Sequence, residues 1–319
     1  MPIIAEFKRF RDGGDVDAEP QYPPTNPMSV QLERTVETVE RKFLWFHWTR
    51  KKEQFKLERR IAYHMRAFDG QEELWVVVPA DAGTFRTDLV SVPAIFTWLI
   101  PRTGIHLPAA LVHDGLVYDE HEKQSYLSEG DRAVTRMQAD VVLRDAMADL
   151  GTSVARRWLI WAAVTLATIW SGAWTKALPA PADDPDAEPQ IVPRRVTNMR
   201  YRIGAFGSLA IISVVGILAT LDWFDKWDHL FWMGDRPWYL ESLYGAAGAI
   251  VVPLILSVLW FRLWKAGIIV GIALAFLLHV TLAVLLLTLL FQCVEYLFGG
   301  RTAAAEGPVS ESGAVPLGP

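Results

Sequence analysis

Apolar and polar positions are distributed very unevenly along this chain. Three stretches beyond residue 200 carry no Asp, Glu, Lys or Arg: 203–221, 242–261 and 266–294, of 19, 20 and 29 residues. A helix rises about 1.5 Å per residue, so about 20 apolar residues cross the roughly 30 Å hydrocarbon layer. The first two stretches have spanning length, and the third is long enough to tilt or to extend into the interface. Helices of soluble proteins keep a polar stripe, and these show almost none. The pattern therefore predicts an all-α transmembrane unit of three helices over residues 203–298. A fourth uncharged stretch, 158–175, holds Trp158, Trp161, Trp170 and Trp174. If it spanned, residues 1–157 would lie outside without a signal peptide to lead them, and Arg156 and Arg157 would face outward. It reads instead as a helix buried in, or packed against, the preceding domain near the membrane surface.

Upstream, the pattern is that of an α+β soluble domain. Residues 1–30 are rich in Pro, Gly and Asp and predict a flexible arm, since the run Glu19-Pro20-Gln21-Tyr22-Pro23-Pro24 cannot continue a helix. Residues 31–53 alternate charged with apolar residues and predict a charged helix. The aromatic run at 43–48, followed by Arg50, Lys51 and Lys52, suits either the inner membrane surface or packing on the domain. Phe55–Met65 alternates loosely, Phe68-Asp69-Gly70 supplies a turn, and Leu74–Val78 is a β-rich run ended by Pro79, which together predict a strand pair. Pro108–Val117 and Ala133–Leu150 predict two helices. In the second, Val134, Met137, Val141, Met147 and Leu150 form an apolar face and Gly151 supplies the stop. The expected organisation is a soluble domain of short strands plus helices at 54–176, a Pro/Asp-rich linker at 177–202 that is extended and mobile, the membrane unit, and a disordered tail at 299–319.

Charge adds orientation. The chain has 319 residues, 51% hydrophobic and 21% charged, with formal net charge −5. Of its 31 Lys and Arg, 26 lie at or before Arg202. A mildly acidic balance argues against nucleic acid as a partner, and the single cysteine, Cys293, excludes an internal disulfide framework. Arg194, Arg195, Arg200 and Arg202 precede the first span, and Arg262 and Lys265 sit between the second and third. The positive-inside rule makes that side cytoplasmic. The expectation is a multi-pass protein of the cell membrane, in contact with membrane lipids, with its N-terminal domain cytoplasmic and its C-terminus outside. The loop 222–241 carries Trp223, Trp227, Trp232 and Trp238, which suits an aromatic belt at the outer interface, and has room for a short amphipathic helix. His279 stands alone within the third span and reads as a neutral side chain bonding a neighbouring helix.

Candidate chemistry sits on the two helices of the domain. His113 and Asp114 are adjacent, and Asp140 follows 27 residues later. Adjacent helix positions diverge by about 100°, so the two have different neighbours. In one division His113 is a base and Asp114 coordinates a hard cation. Asp140, from an antiparallel second helix, then bonds the other ring nitrogen and fixes the tautomer. A cation such as calcium needs several oxygen ligands, for which Asp88 and nearby loop carbonyls are candidates. A His-Asp dipeptide is common, and a structural or solvated polar pair is the default reading of this spacing.

Residues from about 54 to 176 resemble a phage-associated family, domain of unknown function 1353. The resembling pieces are the Val-Val-Val-Pro strand end, Thr87-Asp88-Leu89-Val90-Ser91-Val92-Pro93, Ala109-Ala110-Leu111-Val112-His113-Asp114, and Ala139-Asp140 followed by Ala146-Met147 and Gly151. The resemblance runs on through Trp158 and Trp161, and it implies no established activity. The His-Asp pair is also similar to that of the bacterial phospholipases A2. That likeness implies His113 as catalytic base, Asp114 and Asp88 as calcium ligands, Asp140 as the histidine's partner, and water attack on a phospholipid ester. The tyrosine expected four residues after the histidine is Val117 here, with Tyr118 one place late. Two functions follow as expectations: a metal-dependent phospholipid hydrolase, or a non-catalytic interaction or scaffold module tethered to the membrane.

Overall fold

The computed structural model describes residues 9–302 apart from 44–45, 68–71, 84, 88, 90–102, 118–124, 172–175, 178–190, 193–198, 228 and 235. Within that range the N-terminal region consists of short strands and helices, followed by long helices. Four strands form an antiparallel sheet in the order β1-β4-β5-β6, from Phe10–Asp15, Arg59–Met65, Leu74–Val78 and Leu127–Ser128. The expected pairing of β4 with β5 is present, with Ile61 opposite Val78 and Met65 opposite Leu74.

The first strand corrects the expectation of a flexible arm. Phe10 pairs with Tyr63 across the ladder, is 1% exposed, and its ring lies 4.7 Å from that of Tyr63. The Gly- and Asp-rich composition reflects a bulge between Asp12 and Asp15, where the strand bends. Arg60 then grips the chain beyond it. Its guanidinium, buried in the interior, donates to the carbonyls of Val16 at 2.8 Å, Asp15 and Pro79 at 3.1 Å each, Ala80 at 3.2 Å, and Ala18.

Residues 31–53 are likewise not a helix. Leu32–Phe43 (β2) and Phe46–Leu57 (β3) form a long antiparallel hairpin. The register sets Glu33 opposite Lys56 and Glu37 opposite Lys52, and Arg34 bonds Glu53. Alternating charges with interleaved Thr and Val suit a two-sided polar ribbon, in which opposite charges face across strands. The aromatic run at 43–48 lies outside the residues whose side chains are described. At its lower end the ribbon joins the domain through Phe55, whose backbone exchanges hydrogen bonds of 2.8 and 3.0 Å with Thr87.

The two predicted helices are present as Leu107–Leu116 (α1) and Arg136–Asp149 (α2). Thr135 caps α2 reciprocally with Gln138. Gly151, at φ 78°, closes it: its N–H bonds Ala148 and that of Thr152 bonds Met147, a pairing that satisfies the last carbonyls. The buried face of α2 includes Ala139, Val142, Leu143, Ala146 and Met147, so it is rotated from the expected stripe through Val141. Helix α1 lies between this face and the sheet. Gly115 approaches so closely that a Cβ there would collide with the Val78 side chain.

The fourth apolar stretch forms Val154–Ser171 (α3), packed as expected against the domain. Leu159, Ile160 and Val164 join the domain core, while Trp161, Ala162 and Ile169 join a second cluster with Ala205, Trp260, Leu263 and Ala266. After a short pairing of Lys176–Ala177 (β7) with Ile191–Val192 (β8), the chain enters Met199–Trp223 (α4). Then come Trp238–Leu256 (α5), a tight turn at Ser257–Leu263, and Trp264–Thr302 (α6). Two helical stretches, Met199–Trp223 and Trp238–Leu277, are long and apolar enough to cross a membrane. Between α4 and α5 the described residues form turns rather than an amphipathic helix, closed by a 3.0 Å bond from the Leu230 N–H to the buried Asp222 carboxylate. Of the expected extended linker, 178–190 and 193–198 lie outside the described residues, as do the expected tail beyond 302 and the side chain of His279, whereas 199–202 open α4 and 299–302 end α6.

If β1 belongs to the core, truncating Phe10 has a core penalty. Phe10→Ala is expected to lower stability by about 3–5 kcal/mol, measured by thermal or denaturant unfolding. An arm would give no change.

Candidate functional site

The site begins with one buried carboxylate. Asp140 lies in the second turn of α2, on the face turned toward α1 and α3, and is 4% exposed. Such a group is stable only if its oxygens are hydrogen-bonded. Its Oδ1 lies 2.9 Å from His113 Nε2 on α1, and its Oδ2 accepts a 2.9 Å bond from the hydroxyl of Thr168 on α3. Arg136, one helical turn before Asp140, places Nε 3.8 Å from Oδ1 and donates at 3.2 Å to the Thr168 hydroxyl. Three helices therefore meet on one carboxylate.

Asp114 projects from α1 in a different direction, as adjacent helix positions must. Its Oδ2 accepts a 2.6 Å bond from the Thr87 hydroxyl, and Oδ1 lies 4.0 Å from His113 Nδ1. The two-residue backbone pairing with Phe55 fixes Thr87, and its Oγ1 also accepts from the Leu89 N–H at 2.9 Å. Leu89 has φ 73°, a left-handed conformation that costs a leucine free energy and is held here by that bond. Asp114 is half-buried, whereas His113 is 7% exposed.

The imidazole thus lies between two carboxylates. Burial pushes the His113 pKa down, but the flanking Asp114 and Asp140 outweigh it and raise the value above the ordinary 6.5. With His113 protonated, the charges of Asp114, Asp140, His113 and Arg136 balance. Deprotonation leaves an uncompensated negative charge inside the domain.

The structure brings together three of the four predicted site residues, His113, Asp140 and Asp114, while Asp88 lies outside the described residues. Calcium takes six to eight oxygen ligands. Among the described residues, no group of three or more His, Cys, Asp or Glu side chains is placed to hold a metal ion. One oxygen of Asp114 is engaged by a hydroxyl. Sequence reasoning missed Thr87, Arg136 and Thr168. The signal for Thr168 was a pair of hydroxyls, Thr165 and Thr168, one turn apart in an apolar stretch; both are buried.

Two measurements follow. Because the folded His113 pKa is raised, the stabilisation it provides is fully present below about pH 6.5, its value in the unfolded chain, and is lost as pH rises through the folded value. The melting temperature is expected to fall across that window in the parent protein, and His113→Gln is expected to remove this dependence. Thr168→Val, which leaves Asp140 Oδ2 buried without that partner, is expected to cost about 1–3 kcal/mol by the same melts.

Comparison with known proteins covers part of the chain. No curated protein and no solved structure matches it, so the phospholipase likeness gains no support from them. A family model described as Protein of unknown function (DUF1353) matches residues 60–164, about one third of the chain. The matched stretch runs from β4 into α3 and contains His113, Asp114 and Asp140, while Thr168 and the long apolar helices lie beyond it. Residues 60–164 are thus similar to this family of unknown function.

Proposed function

We propose that the protein is a multi-pass membrane protein that holds its α+β domain, as a non-catalytic interaction or scaffold module, against the cytoplasmic face of the bilayer. One observation carries the reading: α3, whose Thr168 completes the buried cluster around Asp140, packs with its other face on α4 and α6. A domain joined to its membrane helices along a whole helix is held rigidly rather than leashed. The three uncharged stretches supply three spans, and the cations before α4 and around the α5–α6 turn favour the cytoplasmic side for the domain. The His113 cluster then acts as a polar staple among α1, α2 and α3.

A second reading is favoured by the side of His113 that faces Asp114. With Asp140 accepting from Nε2–H, the lone pair is on Nδ1, and Asp114, half-exposed, lies on that side. In ester hydrolysis Nδ1 would take a proton from water as the water oxygen bonds the carbonyl carbon. The ester C–O bond then breaks, and the imidazolium returns the proton to the leaving alkoxide. A membrane-lipid ester is the substrate class that this location suits.

The full-length protein in vesicles separates the two. The scaffold reading expects no fatty-acid release above that of protein-free vesicles. Release by the parent protein that falls about 100-fold or more in a folded His113→Ala variant would establish hydrolysis instead. Protease added outside intact cells is expected to leave residues 1–171 uncut; cleavage there would reverse the topology.

A further inference from the structure

Six cations gather at one end of the helical unit. Arg156 and Arg157 lie in the first turn of α3, Arg200 and Arg202 in that of α4, and Arg262 and Lys265 at the end of the α5–α6 turn and the start of α6. Ring contacts draw these places together. The Arg200 guanidinium lies 4.5 Å from the centre of the Phe261 ring, and Lys265 Nζ lies 5.9 Å from that of Trp158, the residue after Arg157. Tyr201 meets Phe261 edge-on at 5.5 Å, and Gly204 sits directly against the Leu259 carbonyl, locking the turn to α4. None of the six cations has a carboxylate partner among the described residues. Arg144 shows the contrast: it faces the same Trp158 at 5.0 Å but is bound to Asp145 at 2.9 Å. Around the cations, Ile203, Phe261 and Trp264 are exposed at 66%, 41% and 47%.

Cations without counter-ions above exposed aromatic and aliphatic side chains match the chemistry of a membrane interface. There, anionic headgroups supply charge and acyl chains cover the apolar rim. We propose that this collar binds the phosphate-bearing headgroups of anionic phospholipids in the leaflet facing the α+β domain, and so seats the start of α3 on the membrane. The proposal rests on the reading of α4–α6 as membrane-spanning. Charge complementarity selects the occupant, because a zwitterionic headgroup carries its own cation beside the phosphate. The chain's own acids at 183–188 are the competing source of negative charge.

The test uses full-length protein in detergent, titrated with phosphatidylglycerol or phosphatidylcholine and followed by melting temperature and by native mass spectrometry of bound lipid. Phosphatidylglycerol is expected to bind about tenfold or more tightly than phosphatidylcholine, to raise the melting temperature, and to lose affinity in molar salt. Arg156→Gln with Arg157→Gln, and separately Arg200→Gln with Arg262→Gln, are expected to weaken it about fivefold per cation removed while leaving phosphatidylcholine binding unchanged. Equal binding of the two lipids, or anionic binding indifferent to salt in the parent protein, overturns the collar and leaves the membrane reading standing. Anionic binding that emerges only after neutralising Asp183, Asp184, Asp186 and Glu188 shows that the linker covers the collar, and overturns the proposal as well. Release of the protein from membranes by an alkaline carbonate wash overturns the membrane reading itself.

Discussion

Burying a carboxylate without partners costs several kcal/mol, and the way Asp140 avoids that cost organises the rest of the molecule. Its two oxygens are bonded by His113 from α1 and Thr168 from α3, with Arg136 of its own helix bridging toward the hydroxyl. Each partner has to arrive in one rotational setting, which fixes how α1 and α3 lie on α2. Once α1 is set, Gly115 can lie against Val78 and the sheet is covered. Once α3 is set, its outer face, with Trp161 and Ile169, is presented to α4 and α6. Apolar packing supplies most of the stabilisation in both cores, but it is non-directional. The polar cluster specifies the arrangement.

The uncommon composition of α3 follows from this double role. A helix buried on one side keeps a polar stripe, whereas one packed between two cores does not. Packing on two cores leaves little room for charge in this stretch of spanning length, which lies beside the domain with Ala163, Ala167 and Trp170 exposed. At its start, Trp158 lies between Arg144 of α2 and Lys265 of α6, at 5.0 and 5.9 Å from its ring centre. One indole is thus shared by cations from both halves, on faces that favour positive charge.

Much of this was legible in the sequence, for local reasons. The strand run ending at Pro79, the stop at Gly151 and the three uncharged stretches beyond residue 200 are short-range signals, and the corresponding strand, helix end and helices are present. The His113–Asp140 contact was legible because helix geometry and an antiparallel return constrain it. Less was legible where partners are distant. Charges alternating through residues 31–53 mimic a solvated helix until the facing strand supplies opposite charges. Strand β1 looked like an arm because its pairing lies about fifty residues away, with the buried Arg60 holding its exit. Thr87 carried no mark in the sequence of its contact with Asp114; a two-residue pairing with Phe55 places it there.

The two-faced packing of α3 also bears on how the protein can be divided. Domains are ordinarily separated by cutting a linker, and the Pro- and Asp-rich segment near residue 185 is an obvious place to cut. Here the border between the two cores runs lengthwise along a helix instead. A fragment ending after α3 would carry Trp161, Ala162 and Ile169 bare into water, and one ending before it would strip Thr168 from Asp140. A cut on either side of α3 therefore bares part of one core or removes a partner from the buried cluster of the other.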